Sequence, residues 1–151
     1  MSWKFDDVRA SLISDGIHPT QSKNCTYGKL LSSPQISITS DLLERNVAAY
    51  YVYGSHESAT LLEQTLGKSN SEFLAEAEVN FERLVKKLFG SVCQTQLPDS
   101  WKCEPNTEFE YSGYIVKCEQ DDVSAPHTLK VLIAAQSDFS KGLEVRRQFL
   151  Q

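Results

Sequence analysis

Glycine is scarce in this chain, seven residues in 151, and nowhere do two of them form Gly-x-Gly. Cradling a phosphate at a strand-to-helix turn needs such a run, because glycine lets backbone N–H groups come close to the phosphate oxygens. Dinucleotide cofactors are excluded on that ground. Long apolar runs are also missing. The longest, Val47–Tyr53 and Val131–Ala135, fall far short of the roughly 20 residues that span a bilayer. At the start of the chain, Asp6, Asp7, Arg9 and Asp15 interrupt any apolar core of the kind an export signal requires. The expectation is a cytoplasmic protein with no membrane partner.

Positive charge is in short supply. Lys and Arg total 15 against 20 acidic residues, for a net charge of -5 and an isoelectric point near 5.2. Nucleic-acid binders neutralise phosphates with a basic face. Here the densest basic groups are Arg83, Lys86 and Lys87, then Arg146 and Arg147. These read as solvated helix faces. A helix-turn-helix around Gly54 fails as well, since Ser55–Leu66 carries Glu57 and Glu63 but no Lys or Arg. Nucleic acid is excluded as a partner. The acidic balance suits another protein, a basic one in particular.

Close cysteine pairs are absent. Cys25, Cys93, Cys103 and Cys118 show no Cys-x2–4-Cys spacing, the usual mark of a structural zinc site. Joining His127 to the last three gives gaps of ten, fifteen and nine residues. No metal and no cofactor is expected, and Cys118 reads as a small buried hydrophobe on a strand. In a reducing compartment all four are expected as thiols. Cys93 and Cys103 are the pair with least demand on the fold should a bridge form.

Catalytic motifs are missing too. Gly54-Ser55-His56-Glu57-Ser58 sets serine, histidine and glutamate side by side, but a triad must converge from separate segments. It also lacks the second glycine of a nucleophile elbow. Ser55 reads instead as a helix cap. Asp121 and Asp122 read as a solvated turn. No residue is assigned a catalytic role.

What is present fits a globular protein: 40% hydrophobic and 23% charged residues. One domain, residues 1–151, is the economical reading. The clearest element is a helix over Asn70–Phe89. Ser69 and Glu72 have capping-box spacing, Phe73, Leu74, Ala77, Phe81, Leu84, Val85 and Leu88 recur on one face, and Gly90 is the stop. Further helices are predicted over Phe5–Ile13, Asp41–Tyr53 and Ser55–Leu66, with a last one capped by Asp138. The tail Tyr50–Tyr53 is also good strand sequence. Strands are predicted over Glu108–Cys118, bulged at Ser112-Gly113, and over Thr128–Ala135. Gln35–Ile38 or Tyr50–Tyr53 is expected to complete the sheet. The predicted fold is α+β, with four or five helices packed on one face of a small, mostly antiparallel sheet.

This pattern suggests a binding protein that occludes or regulates a macromolecular partner, in the manner of an inhibitor or adaptor. Tyr50, Tyr51, Tyr53 and Trp101 are the candidate contact residues, because such rings are favoured at interfaces. The alternative is a small enzyme or ligand-binding domain with a pocket between sheet and helices. That pocket would draw on Tyr51, His56, Asp121, Asp122 and His127.

Overall fold

A computed structural model describes residues 3–38, 46–68, 74–121 and 127–150. Helix α1 is Phe5–Ser14. Strands β1 (Gln21–Cys25), β2 (Gly28–Ser32), β3 (Ile36–Ser37), β4 (Asn46–Gly54) and β5 (Ala59–Lys68) follow. Helix α2 is Leu74–Cys93, and then come β6 (Thr107–Tyr111), β7 (Tyr114–Asp121), β8 (His127–Ala135) and helix α3, Phe139–Leu150. The strands form one eight-stranded sheet in the order β1-β2-β4-β5-β8-β7-β6, with β3 also on β4, and every pairing is antiparallel.

This corrects the expected architecture. The described residues hold three helices, and the sheet is the larger part of the fold. Two of the predicted helices are strands. Residues 46–54 and 59–68 pair with each other as β4 and β5, and residues 41–45 lie outside the described residues. The reason is that both sheet faces are covered. Ala48, Tyr50 and Val52 point to one core and Tyr53 to the other; Leu62 and Leu66 point to the first and Leu61 to the second. A strand buried on both sides carries apolar residues throughout. A step of four, such as Leu62 to Leu66, satisfies the helical and the extended period alike. Ser55 does cap, but it caps a turn: its Oγ accepts from the backbone N–H groups of Glu57 (3.3 Å) and Ser58 (3.1 Å).

Ser112-Gly113 is a hairpin turn and not a bulge. Tyr111 pairs with Tyr114, and both turn residues have positive φ, 52° and 86°. Two left-handed residues in a row suit the right-handed twist of the flanking strands. The shift of alternation across them is a change of strand direction. Helix α2 runs through Gly90 to Cys93, and Gln94 takes the left-handed conformation after it, at φ 56°. A Cβ at position 90 would meet the Gln96 amide at 2.8 Å, so the glycine serves close approach and not termination. The predicted start of that helix at Ser69–Phe73 lies outside the described residues.

Other expectations agree with the structure. Helix α1 ends at Asp15-Gly16, with Gly16 at φ 83° and the Ile17 N–H donating to the Leu12 carbonyl. Ile36–Ser37 and Tyr50–Tyr53 both enter the sheet. Helix α2 lies across the sheet as expected: Ala77, Phe81, Val85, Leu88 and Phe89 pack in one core with Tyr114, Val116, Cys118, Leu129, Val131 and Ile133, joined by α1 through Phe5, Val8 and Leu12. Helix α3 takes the opposite face. Phe139 and Val145 pack there on Leu30, Tyr53, Leu61, Leu132 and Ala134. Helices thus lie on both faces, not one. No helix among the described residues is long and apolar enough to cross a membrane.

Candidate functional site

Helix α3 has 12 residues and covers only part of its sheet face. Its docking is tight at one point, where a Cβ on Gly142 would come within 2.6 Å of the Leu61 Cβ. Beyond the helix end the described residues leave the sheet open. The result is a cleft of about 510 Å³, floored by Ala49, Thr65, Gly67 and Thr128 and walled by Tyr51, Tyr53, Phe149 and Leu150. Alternation along the strands puts these residues on one face: odd-numbered positions of β4 and β5, even-numbered positions of β8. The small floor residues give the cleft its depth. The walls form a ladder of rings, Tyr51 to Tyr53 at 6.5 Å and Tyr53 to Phe149 at 6.2 Å between centroids.

Through Glu63 the cleft borders a buried ion pair. The Arg146 Nε of α3 donates to the Glu63 Oε1 of β5 at 2.5 Å, and the two side chains are only 12% and 5% exposed. A charge inside an apolar core needs such a partner. Burial alone would ease the proton off Arg146, but Glu63 beside it outweighs this and the guanidinium stays charged. The tyrosines feel the same surroundings. Burial, then the Glu63 charge, pushes the hydroxyl of Tyr51 up, and the same two causes act on Tyr53, where Arg146 offsets a part. Both phenols therefore remain protonated at neutral pH. The lining acid Glu63 is paired, the two phenols are neutral, and Lys130 adds a cation at the edge, so the cleft offers aromatic surface and hydrogen-bond donors more readily than an acid–base couple.

The sequence-predicted residues are scattered. Tyr50 and Tyr53 are buried, on opposite faces of β4, and Trp101 is buried in the α1–α2 core. Of the four candidate contact residues, Tyr51, half-buried, and Tyr53 line the cleft. The alternative pocket set is split. His56 sits exposed in the β4–β5 turn, whereas His127 pairs with Lys68 at the far end of β5, and Asp121 lies next to it at the end of β7. The ten residues of β5 separate the two ends by about 30 Å. Asp122 lies outside the described residues. Of the Cys93, Cys103, Cys118 and His127 set, Cys103 and Cys118 meet at 3.2 Å, but no group of three or more His, Cys, Asp or Glu that could hold a metal occurs among the described residues.

Sequence reading passed over Glu63, Arg146, Thr65, Thr128 and Phe149. A signal existed for Glu63. It follows Leu61-Leu62 in a run that turns out to be a central strand, and a charge in such a run calls for a partner. Arg146 read as a solvated helix face because nothing local points to a contact 83 residues away. The chain matches no protein family, no curated protein and no solved structure.

Proposed function

We propose that this chain is a non-catalytic binding protein that takes a segment of a partner protein into the cleft beside α3, occluding or regulating that partner. One observation carries the reading: an open cleft with an aromatic wall and a small-residue floor, whose one lining acid, Glu63, is already paired with Arg146 and whose rim carries Lys130. Aromatic anchors beside desolvated pockets are what protein interfaces use for affinity. The net charge of -5 favours a basic partner through long-range attraction. A cytoplasmic setting belongs to the same reading.

Thr65 sits half-buried on the cleft floor and is the place to test it. A photo-crosslinking residue at position 65, in the native host at native expression, is expected to capture one stoichiometric partner. Thr65→Trp fills the cleft and is expected to release that partner without lowering the melting temperature. A crosslinker that captures nothing at low salt, or a Thr65→Trp protein that retains its partner in full, would overturn the proposal.

A second reading has one observation in its favour. The cleft volume of about 510 Å³ lies within the range of roughly 300–1,000 Å³ typical of small-molecule pockets. A small ligand held between Tyr51 and Phe149 would shift the melting temperature of the wild type, and Thr65→Trp would cancel that shift.

A further inference from the structure

On the other sheet face, away from the cleft, two cysteines meet that are fifteen positions apart in sequence. Cys118 is on β7 and turns toward α2, buried at 1% exposure. Cys103 belongs to the connection between α2 and β6 and is half-buried. The Cys103 thiol donates to the Cys118 sulfur, with the two Sγ atoms 3.2 Å apart. The Cys103 backbone N–H donates to Glu82 Oε1 of α2 at 3.2 Å, which fixes the connection in place. Cys103 also lines a small pocket of about 190 Å³ with Glu78, Glu82, Pro105, Gln120 and Leu129. A water takes about 30 Å³ of liquid volume, so a peroxide molecule has ample room there.

We propose that Cys103 and Cys118 form an oxidant-reactive dithiol site, in which peroxide attacked by Cys103 is reduced and the pair closes to a disulfide with Cys118. A disulfide needs its sulfurs about 2.05 Å apart, so little more than an ångström of approach is required. Once one proton leaves the pair, the S–H···S bond donated by Cys103 holds the charge on Cys118, and passing that proton across to Cys118 moves the charge to the more accessible Cys103 for the attack. That thiolate attacks one peroxide oxygen; the O–O bond breaks and hydroxide leaves, taking up the lost proton as water. Cys103 is then a sulfenic acid. The Cys118 sulfur attacks the Cys103 sulfur, the S–O bond breaks, and the departing hydroxide takes the remaining thiol proton. Two thiols lose two electrons, and one peroxide becomes two waters.

The other cysteines set the contrast. Burial pushes the Cys93 thiol up to about 12, so it has almost no thiolate to offer. Cys118 is shifted the opposite way: the hydrogen bond from Cys103 lowers it against the effects of burial and of the Glu82 charge, with help from Thr107 and the Glu104 backbone. Cys25 is half-buried like Cys103, but its thiol donates to Gln148 Oε1 at 3.2 Å and not to a second sulfur. Cys25 is thus a control of similar exposure without a resolving partner.

The test uses the full reduced chain, stoichiometric hydrogen peroxide, a thiol-blocking quench and peptide mapping. Cys103 is expected to react on the order of tenfold faster than Cys25, because only Cys103 has a second sulfur at 3.2 Å with which to share a thiolate, and to appear in a Cys103–Cys118 bridge. Unfolding the chain in denaturant should abolish that preference. In Cys118→Ser the sulfenic acid on Cys103 should persist and be trapped by dimedone, whereas Cys103→Ser should leave Cys118 a thiol. Cys103 reacting no faster than Cys25, or a bridge mapped to any other pair, would overturn the proposal, and the wild-type mapping decides this even if a variant fails to fold.

Discussion

Gln64 is fully buried, at 0% exposure, directly across from Tyr50 on the neighbouring strand. The Gln64 amide reaches the Tyr50 hydroxyl closely enough to offset a part of that phenol's shift, but not in the alignment of a full hydrogen bond, and neither group has a better partner among the described residues. A buried polar group without a partner costs about 1–3 kcal/mol, while an apolar side chain of similar shape removes the cost. Gln64→Met is therefore expected to raise stability by about 1 kcal/mol, read as a higher urea midpoint with an unchanged slope. A fall of that size would mean that an ordered water satisfies the amide. Glu63, one residue earlier, is the opposite case. It faces the other core and is held by Arg146. Removing one member of a buried ion pair leaves the other uncompensated and costs about 3–5 kcal/mol. Arg146→Met should lower stability by that order in a denaturant titration. The double variant Glu63→Leu with Arg146→Met should recover most of it, because then no charge is left behind.

At the scale of elements, Phe81 and Gly142 report on the two sheet faces separately. Phe81 is fully buried under α2, and Phe81→Ala is expected to cost about 3–5 kcal/mol through the cavity it leaves. An unchanged melting temperature would show that α2 does not seat on the sheet through this residue. Gly142→Val acts on the other face. The added carbons would meet the Leu61 Cβ at 2.6 Å and the Thr60 carbonyl at 3.2 Å, so α3 must lift. Overpacking of this kind costs about 1–3 kcal/mol. The distinctive readout is hydrogen exchange: faster exchange in α3, with α2 unchanged. These two faces also explain which elements were legible from sequence. Helix α2 is amphipathic with solvent on its outer side, so its apolar stripe stands out. Helices α1 and α3 were legible for the same reason. Strands β4 and β5 lie between two cores and lose their alternation, and their multiples of four imitate a helix. The turn at Ser112-Gly113 carried its signal in glycine, but a phase change alone does not separate a bulge from a reversal. Of the cleft, sequence offered Tyr51 and Tyr53. The floor of Ala49, Thr65, Gly67 and Thr128 has no chemical signature until the strands are set side by side. The Cys103–Cys118 contact depends on the β6–β7 register in the same way.

For the whole molecule, the consequence of burying so many acidic protons is a sensitivity to alkali. Tyr50 is pushed from an ordinary 10.0 up to about 12, chiefly by burial, with the Gln64 amide offsetting a part. Burial moves Cys93 from 9.0 to about 12, and burial together with the Glu63 charge moves Tyr53 in the same direction. An unfolded chain gives up these protons near their ordinary values, while the folded chain keeps them until close to 12. Between those limits the unfolded state binds fewer protons than the native state, so stability falls as pH rises. The contribution is complete below the ordinary cysteine value of 9.0 and declines through the tyrosine value of 10.0 toward about 12. Urea midpoints measured from neutral to alkaline pH should therefore be flat at first and then drop steadily. Tyr50→Phe should lessen that drop, since it removes one of the titrating groups while keeping the ring in the core. Phenolate absorbance supplies an independent check: in the folded protein a part of the tyrosine signal should appear only as the chain unfolds. A urea midpoint that stays level into strong alkali, in wild type and Tyr50→Phe alike, would show that these groups are not held protonated by the folded core.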